Sequence, residues 1–415
     1  MGFMSKRFSV LLMTVSVGAS VFLLYNQAQT NRTGRALSVE QLNEIRLDSA
    51  ATDKGLQFFH AKQHTPLMKT PRTVNEDVSD SKPAPTPANL FELRSSFQLP
   101  VPYCTLSVDS LLQQPWIREL QEILSTIDPL SGPISLTTSD YNFRDILLNW
   151  LSASTVHITP QLSHLLVLCM DKSVYDLLKA HNIASIYAPP ESFINKKTDA
   201  GLKRHIAFTA TQILRLTVMR LLNHWGYDAA NYDADAILVK NPEPLMYDIY
   251  RESSLIASHG HFPAEIRVQW GGTTLCAGMF MVKSGPATEI FWKMMNAVVP
   301  NSYNDQARLN NALLKLGVRW DDSQHGNIQT TDWQGTTDTG FDVTVLSALR
   351  VCRQTCNRKT HKREYYVWHK GGSGVKGKMN YARQGGLWYL RKDWETVTNN
   401  STLTGIDWLR AISVS

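Results

Sequence analysis

The stretch Tyr232–Pro242, which reads YDADAILVKNP, places two aspartates directly before an apolar run. In an extended segment alternate side chains point to the same side, so Asp233 and Asp235 are predicted to share one face. Two carboxylates on one face can bind one hard divalent cation. An Asp-x-Asp triplet is also common in solvated turns. The apolar residues that follow predict burial here, and buried carboxylates need a cation or hydrogen-bond donors.

The sequence on both sides of this stretch predicts an α/β fold. Phe208–Trp225 has the pattern of an amphipathic helix, and Gly226 follows it as a helix C-cap would. Apolar runs predict further strands at residues 133–138, 164–169, 184–188, 254–258 and 274–283. Because helix patterns alternate with these runs, we expect a mostly parallel sheet flanked by helices, with its ligand at the carboxyl ends of the strands. Residues 260–272 are predicted to form a loop.

The N-terminal part of the chain has a different composition. Lys6 and Arg7 precede an uncharged, mostly apolar segment, Phe8–Tyr25, which is long enough to cross a hydrocarbon core of about 30 Å as a helix. We expect an uncleaved signal anchor with the bulk of the protein in the lumen, and a cleaved signal peptide is the alternative. Pro-rich residues 26–98 predict a stem. The expected order is a cytoplasmic tail (1–7), a transmembrane anchor (8–25), a lumenal stem (26–98) and a catalytic domain (99–415).

Composition and charge narrow the functional classes. Of the 415 residues, 43% are hydrophobic and 19% are charged, which is typical of a globular protein. Between Arg350 and Lys392 there are twelve Lys or Arg residues and one acidic residue, Glu364. A basic segment with aromatic residues could bind nucleic acid, but the expected lumenal location argues against that partner. Among the five cysteines, Cys169 and Cys276 are predicted to be buried thiols. Cys352 and Cys356 are close enough in sequence to form a local disulfide in an oxidising compartment.

The segment from Ile213 to Pro242, with its Leu-rich helix, Gly226 and the acidic pair, resembles the nucleotide-diphospho-sugar transferase family. The resemblance extends from about Pro133 to Trp394. It implies a retaining glycosyltransferase of the glycosyltransferase A fold, which is a Rossmann-like α/β fold with a mixed, mostly parallel sheet flanked by helices. It also implies that Asp233 and Asp235 hold a nucleotide sugar, expected to be a UDP-sugar, through Mn2+ or Mg2+.

The same resemblance assigns roles to residues outside the acidic pair. Thr138 and Asp140, at the end of the first predicted strand, would contact the base or ribose, although Asp140 could equally be a helix N-cap. Arg215 would approach the donor, or alternatively extend from an amphipathic helix towards solvent. Asp305 and Gln306 match an Asp-Gln pair near the reacting sugar, although an acidic residue at a helix start is also favoured by the helix dipole.

The C-terminal basic segment contains the remaining implied site residues. His369 and the glycines after it resemble the His…Gly…Lys element of the family, in which the His is a further metal ligand and the Lys meets the pyrophosphate. The spacing leaves both Lys376 and Lys378 eligible for the second role. Cys276 stands where the family has an Asn that touches the donor sugar.

These observations together predict a Golgi enzyme, single-pass and type II, with its catalytic domain in the lumen. It would transfer a sugar with retention from a UDP-sugar to a glycan or glycoprotein acceptor, using Mn2+ or Mg2+. Two alternatives stay open. One is a catalytically weak lumenal protein of the same fold that binds a nucleotide sugar or glycan, and the other is a metal-dependent hydrolase.

Overall fold

The computed structural model describes residues 108–192, 206–298, 304–321, 327–353, 365–369 and 374–414, together with Phe91, Leu93 and Phe97. All of these belong to one compact unit within residues 82–415. The predicted tail and anchor, and almost all of the predicted stem, lie outside the described residues. Among the residues that are described, no helix is long and apolar enough to cross a membrane.

The strands follow one another along the chain as β1 Ile134–Ser139, β2 His164–Cys169, β3 Ser185–Tyr187, β4 Ala229–Tyr232, β5 Ile237–Leu238, β6 Leu255–Gly260, β7 Thr274–Val282, β8 Arg319–Trp320, β9 Trp333–Thr336, β10 Asp342–Leu346, β11 Val351–Cys352 and β12 Val367–Trp368. The predicted strands at 133–138, 164–169, 184–188, 254–258 and 274–283 are therefore confirmed, with shifts of one or two residues at their ends.

The α-helices are α1 Val108–Leu112, α2 Pro115–Leu124, α3 Arg144–Ser152, α4 Lys172–Ala180, α5 Ile206–His224, α6 Ala264–Gln269, α7 Pro286–Ala297, α8 Asp305–Lys315, α9 Gly374–Gly385, α10 Trp394–Asn399 and α11 Gly405–Ile412. Their ends have local causes. The Asp171 carboxylate accepts a hydrogen bond from the Val174 amide and caps α4, and Asn304 caps α8 in the same way. Gly226, with φ of +88°, adopts after α5 the left-handed conformation that ends many helices.

Within the described residues, nine strands form one sheet in the order β3-β2-β1-β4-β7-β6-β10-β9-β8, and β11-β12-β5 form a second, small sheet. β1 is parallel to β2 and to β4, and β6 is parallel to β10. β7, however, runs antiparallel to both of its neighbours, and β8–β9–β10 form an antiparallel meander. The expected mixed sheet flanked by helices is confirmed. The expectation that it is mostly parallel is wrong, because β7 and β9 reverse the chain direction, so that four neighbouring pairs of the described strands are parallel and four are antiparallel.

The core lies on both faces of the large sheet. One face packs against α2, α5, α7 and α8, with Trp116, Phe280 and Phe291 among its largest buried side chains. The other face packs against α3, α4 and the C-terminal α10 and α11. Phe97, which falls in the predicted stem, is buried and lies over the Arg220 guanidinium with 4.6 Å between that group and the ring centroid.

Two sequence predictions about local structure are wrong. Residues 260–272 are not only a loop, because Ala264–Gln269 forms α6. This helix has six residues, which is too short to show a clear 3.6-residue period. Asp233 and Asp235 do not lie in an extended strand, because β4 ends at Tyr232 and a turn leads into β5 at Ile237.

Candidate functional site

The acidic pair lies in the turn that carries the chain from the large sheet to the small one. The amide of Ala236 donates to the carbonyl of Asp233 at 2.7 Å and closes the turn. The amide of Asp233 donates to the carbonyl of Gly278 in β7, also at 2.7 Å. The side chains of Asp233 and Asp235 are therefore not oriented by the alternation of a strand. They are oriented by the hydrogen bond of the turn to β7 and by the entry of the chain into the small sheet.

His369 joins the pair from a distant part of the sequence. β12 runs antiparallel to β5 with Trp368 opposite Ile237, so the residue after β12 meets the residues before β5. The His369 Nε2 atom lies 3.6 Å from Asp233 Oδ2 and 3.8 Å from Asp235 Oδ1. The sequence prediction that His369 stands beside both carboxylates is confirmed.

These three side chains fit one divalent cation. Their donor atoms all lie within 4.8 Å of one another. Ligands that each lie about 2.2 Å from an ion are at most about 4.4 Å apart, so the two histidine–carboxylate distances match a shared ion. A separation of up to 4.8 Å within the set would close by a few tenths of an ångström when all three bind one ion. Two carboxylates and an imidazole are a donor set that suits hard to borderline divalent metals. Burial opposes the charged form of His369, but Asp235 raises the pKa of this imidazole above its ordinary value.

Gly278 in β7 makes room for this cluster. A Cβ atom on this residue would lie 2.2 Å from His369 Cε1 and 2.6 Å from Asp233 Oδ2. Both distances are below any van der Waals contact, so only glycine allows the imidazole and the carboxylate to approach β7 this closely. Gly278 lies two residues after Cys276 in β7, and the close approach of the cluster is the physical reason for a glycine at this position.

Arg215 of α5 links the acidic turn to the start of α8. Its guanidinium is nearly buried, and it forms ion pairs with Asp233 and with Asp305. Burial alone would raise the pKa of Asp233, but Arg215, His369 and Lys378 lower it, so this carboxylate is held in its charged form. Burial raises the pKa of Asp305 above its ordinary value in spite of Arg215. In this structure Arg215 therefore positions two carboxylates.

The two candidate lysines occupy different environments. Lys378 Nζ lies 2.8 Å from Asp235 Oδ2 and 5.3 Å from the centroid of the Phe143 ring, and its side chain lines the site cavity. Lys376 is exposed and is not part of the cavity lining. Both lie near the start of α9, where residues two apart point in different directions. The structure therefore places Lys378, and not Lys376, in the cavity wall.

Thr138 in β1 and Asp140 directly after β1 line the cavity together with Phe143. The Asp140 carboxylate accepts a hydrogen bond from the Phe143 amide at 3.1 Å, so the capping alternative for this residue is correct. Because Asp140 also lines the cavity, capping does not remove it from the site. Gln306 also lines the cavity, and its Nε2 donates to the carbonyl of Phe262 at 2.7 Å.

Cys276 and Arg353 also line the cavity, whose volume is about 460 Å³. Cys276 is a buried free thiol, as predicted. Burial would raise the pKa of Cys276, but Arg353 and His369 lower it to about 6. Arg353 follows β11, and sequence reasoning gave it no role, because one arginine within a basic segment has no distinguishing signal. Cys352 before it is disulfide-bonded, and Cys356, its predicted partner, lies outside the described residues.

Sequence comparison identifies the family. The profile of the nucleotide-diphospho-sugar transferase family matches residues 160–381, which is more than half of the chain. The chain therefore belongs to the nucleotide-diphospho-sugar transferase family, and its reaction class is glycosyl transfer. A search of curated protein sequences finds no match.

Solved glycosyltransferase structures show fold similarity at low identity. The galactosyltransferase LgtC, in complex with donor and acceptor sugar analogues, is 14% identical; the match covers 63% of this chain and 99% of that one, with a TM-score of 0.36. Mouse xyloside xylosyltransferase 1, in its apo form, is 8% identical, covering 57% of this chain and 97% of that one, with a TM-score of 0.36. The bifunctional glycosyltransferase WbbM is 11% identical, covering 60% and 47%, with a TM-score of 0.39.

Proposed function

We propose that this chain is a metal-dependent glycosyltransferase that moves a sugar, with retention, from a UDP-sugar to a glycan or glycoprotein acceptor. The observation that carries the proposal is the convergence of Asp233, Asp235 and His369. Their donor atoms come within 4.8 Å of one another, although His369 reaches the others from a separate strand. Family membership supplies the reaction class, and this cluster supplies a place for the cation that a diphosphate leaving group needs.

In this proposal Asp233, Asp235 and His369 hold Mn2+ or Mg2+, which when bound neutralises charge on the diphosphate. Lys378 lies at the same carboxylate cluster and is placed to approach the diphosphate from the side of Phe143. Thr138, Asp140 and Phe143 form the nucleoside end of the cavity. Arg215 holds Asp233 and Asp305 in position by ion pairs to both.

Asp305 and Gln306 form the sugar end of the cavity in this proposal. Asp305 is buried and its side chain is 3% exposed, whereas the Gln306 amide is held by the carbonyl of Phe262. An amide and a carboxylate can orient hydroxyl groups of a sugar through hydrogen bonds. We assign no carboxylate nucleophile, because Asp305 is already engaged by Arg215.

The direct test is a donor screen with the full-length chain in detergent. Hexosyl and pentosyl UDP-sugars are incubated with Mn2+, Mg2+ or chelator, with and without glycan acceptors, and UDP release is measured. We expect turnover of one donor that requires the metal and is lost in Asp235→Asn. Asp176→Asn, which changes an exposed carboxylate on α4, is the matched control and should remain active. Metal-independent turnover would contradict the proposed role of the cluster.

A second candidate is a lumenal protein that binds nucleotide sugars or glycans without efficient turnover. The observation that favours it is Cys276, which stands where the family has an Asn. The same screen separates the two functions, because this candidate would bind a UDP-sugar in the presence of Mn2+ and release no UDP with any acceptor. A metal-dependent hydrolase, in contrast, would release UDP at the same rate with and without acceptor.

A further inference from the structure

Three strand ends of the small sheet lie side by side at the site. β11 pairs in parallel with β12, with Cys352 opposite Trp368, so the next residues, Arg353 and His369, leave the sheet together. The amide of His369 donates to the carbonyl of Cys352 at 2.8 Å and keeps this register. β5 on the other side of β12 begins just after Asp235. Since neighbouring strands are about 4.8 Å apart, Arg353 lies one strand beyond His369 in the row that holds the cluster.

Arg353 is fixed in this place by both sheets. Val351 and Cys352 before it are fully buried, and its Nη1 donates to the carbonyl of His259 in β6 at 3.2 Å. Its side chain lines the same cavity as Cys276 and His369. Burial opposes its charge, but Cys276, Asp233 and Asp235 raise the pKa of Arg353, so the guanidinium stays charged in the cavity wall.

Arg353 and Lys378 stand on opposite sides of the cluster. The order β1-β4-β7-β6 within the large sheet sets a direction along the cavity. Phe143, which follows β1, contacts Lys378, whereas His259 in β6 contacts Arg353. Asp233, which follows β4, lies between them. A ligand that extends from the β1 corner past the cluster therefore passes Lys378 first and Arg353 afterwards.

We propose that Arg353 binds the second phosphate of the donor's diphosphate, on the side of the cluster opposite Lys378. This inference rests on the proposed function, because it takes the nucleoside to lie at the β1 corner. A planar guanidinium offers parallel N–H donors that match two oxygens of one phosphate, and it keeps its charge in a buried site. Lysine cannot provide this fork. The arginine would fix the orientation of the leaving group, whereas Lys378 would contribute charge nearer the nucleoside.

A purely structural role is the competing explanation. In that case Arg353 only balances the buried charges around Cys276 and the aspartates, and its loss would weaken every property of the site together. If Arg353 binds the diphosphate, its loss should change the affinities for Mn2+ and for the diphosphate in opposite directions. Without the Arg353 charge, Mn2+ alone should bind more tightly, because one repulsive charge near its carboxylates is gone. The diphosphate should bind more weakly.

The experiment compares Arg353→Gln, Arg353→Lys and the wild type as full-length chains. The affinity for Mn2+ alone is measured from the electron paramagnetic resonance signal of free Mn2+. The affinities for UMP, UDP and a non-hydrolysable UDP-sugar are measured by calorimetry in saturating Mn2+. Arg350→Gln is the matched control, since Arg350 lies three residues earlier and pairs with Asp332 outside the cavity.

We expect Arg353→Gln to weaken UDP binding by about 10- to 100-fold, the loss typical of hydrogen bonds to a charged group. Its affinity for UMP should fall less than threefold, and its affinity for Mn2+ alone should rise roughly threefold. Arg353→Lys should lie between wild type and Arg353→Gln, and Arg350→Gln should match wild type.

Other outcomes overturn the inference in distinguishable ways. An equal loss for UMP and UDP, or a fall in Mn2+ affinity, would show that Arg353 supports the fold of the site. A loss confined to the UDP-sugar would place the arginine at the sugar. If the wild type itself binds no nucleoside diphosphate in the presence of Mn2+, the proposed function is wrong, and the assignment of Arg353 is wrong with it.

Discussion

Gly278 shows how one residue without a side chain determines the geometry of the site. Its carbonyl accepts the hydrogen bond from the Asp233 amide, and its missing Cβ leaves the space that the His369 ring and the Asp233 carboxylate occupy. No other residue can fill both functions, because the clash is with a ring and with a carboxylate that is held by Arg215.

Gly278→Ala is therefore expected to displace His369 from the cluster. The cost of forcing a methyl group into a packed interior is typically about 1–3 kcal/mol, so we expect a lower free energy of unfolding and at least a tenfold loss of Mn2+ affinity. Urea unfolding and Mn2+ titration measure the two effects. Gly385→Ala is the control, since a Cβ there meets its nearest neighbours at 3.7 Å or more. Unchanged Mn2+ affinity in Gly278→Ala would disprove the role of His369 as a ligand.

Lys376 and Lys378 offer a matched pair of substitutions within one helical turn. Lys378→Gln removes a charge that lies 2.8 Å from Asp235, whereas Lys376→Gln changes an exposed side chain. We expect Lys378→Gln to weaken UDP binding by about tenfold, which is about 1.4 kcal/mol, and to strengthen the binding of Mn2+ alone. Lys376→Gln should change neither affinity. Calorimetry checks both, and a larger UDP defect in Lys376→Gln would reverse the assignment of the two lysines.

Among the secondary-structure elements, the sequence predicts the long helices and strands that have a clear apolar period. β1, β2, β6, β7 and α5 were predicted within a few residues because their apolar periods and the glycine after α5 are local signals. The direction of β7 was missed, because nothing in a strand's own residues specifies whether its neighbours run parallel or antiparallel. The partners of His369 were predicted only through the family resemblance, since the pairing of β12 with β5 joins segments far apart in sequence.

The geometry of Asp233 and Asp235 also could not be predicted from the local sequence. Alternation in a strand predicts that Asp233 and Asp235 face one way, and they do meet at one site, but for a different reason. The chain turns at Ala234 and Asp235 because it leaves β4 for a second sheet. Sequence patterns identified which residues meet, and tertiary pairing determined how they meet.

An ion pair between Arg220 of α5 and Glu289 of α7 predicts how the stability of the fold changes at acid pH. Arg220 is fully buried, and its two Nη atoms donate to the Glu289 carboxylate at 2.7 and 2.6 Å. Burial would raise the pKa of Glu289, but hydrogen bonds from His224 and Arg220 lower it from 4.5 to about 2. Because the pKa is lower in the folded state, this stabilisation is complete above pH 4.5 and is lost as the pH falls towards 2.

Glu289→Gln should therefore be less stable than wild type at pH 7, by about 3 kcal/mol if the buried guanidinium loses its partner. The difference between the two proteins should shrink as the pH is lowered from 4.5 towards 2. Urea unfolding at pH 7, 4 and 3 measures it. Glu395→Gln, at an exposed carboxylate paired with Arg144, is the control and should follow wild type throughout. A constant difference at every pH would mean that the ion pair is not the source of the stability.

For the whole molecule, the site requires both sheets to be in place. The large sheet supplies Gly278 and the end of β4, the small sheet supplies His369 and Arg353, and α5 and α8 supply Arg215 and Asp305. Ligands that bind such a site bind only the folded state, and the free energy of unfolding rises with the logarithm of their concentration once it exceeds Kd. The nucleotide and metal should therefore protect the whole compact unit from unfolding, including parts far from the cavity.

The membrane topology of the whole chain can be predicted from its N-terminal residues. Lys6 and Arg7 before Phe8–Tyr25 predict that the unit with the site faces the lumen. Two overlapping N-glycosylation sequons begin at Asn399 and Asn400, and both asparagines are exposed at the end of α10, so a glycan there meets no steric obstacle. We expect full-length protein from animal cells to carry a glycan removable by peptide N-glycosidase, and the Asn399→Gln/Asn400→Gln double variant to lose one.

In sealed Golgi vesicles the unit that contains the site should resist added protease until detergent opens the vesicles. An unglycosylated chain that protease digests in sealed vesicles would contradict the lumenal location, and the donor screen would then have to be repeated with cytoplasmic acceptors.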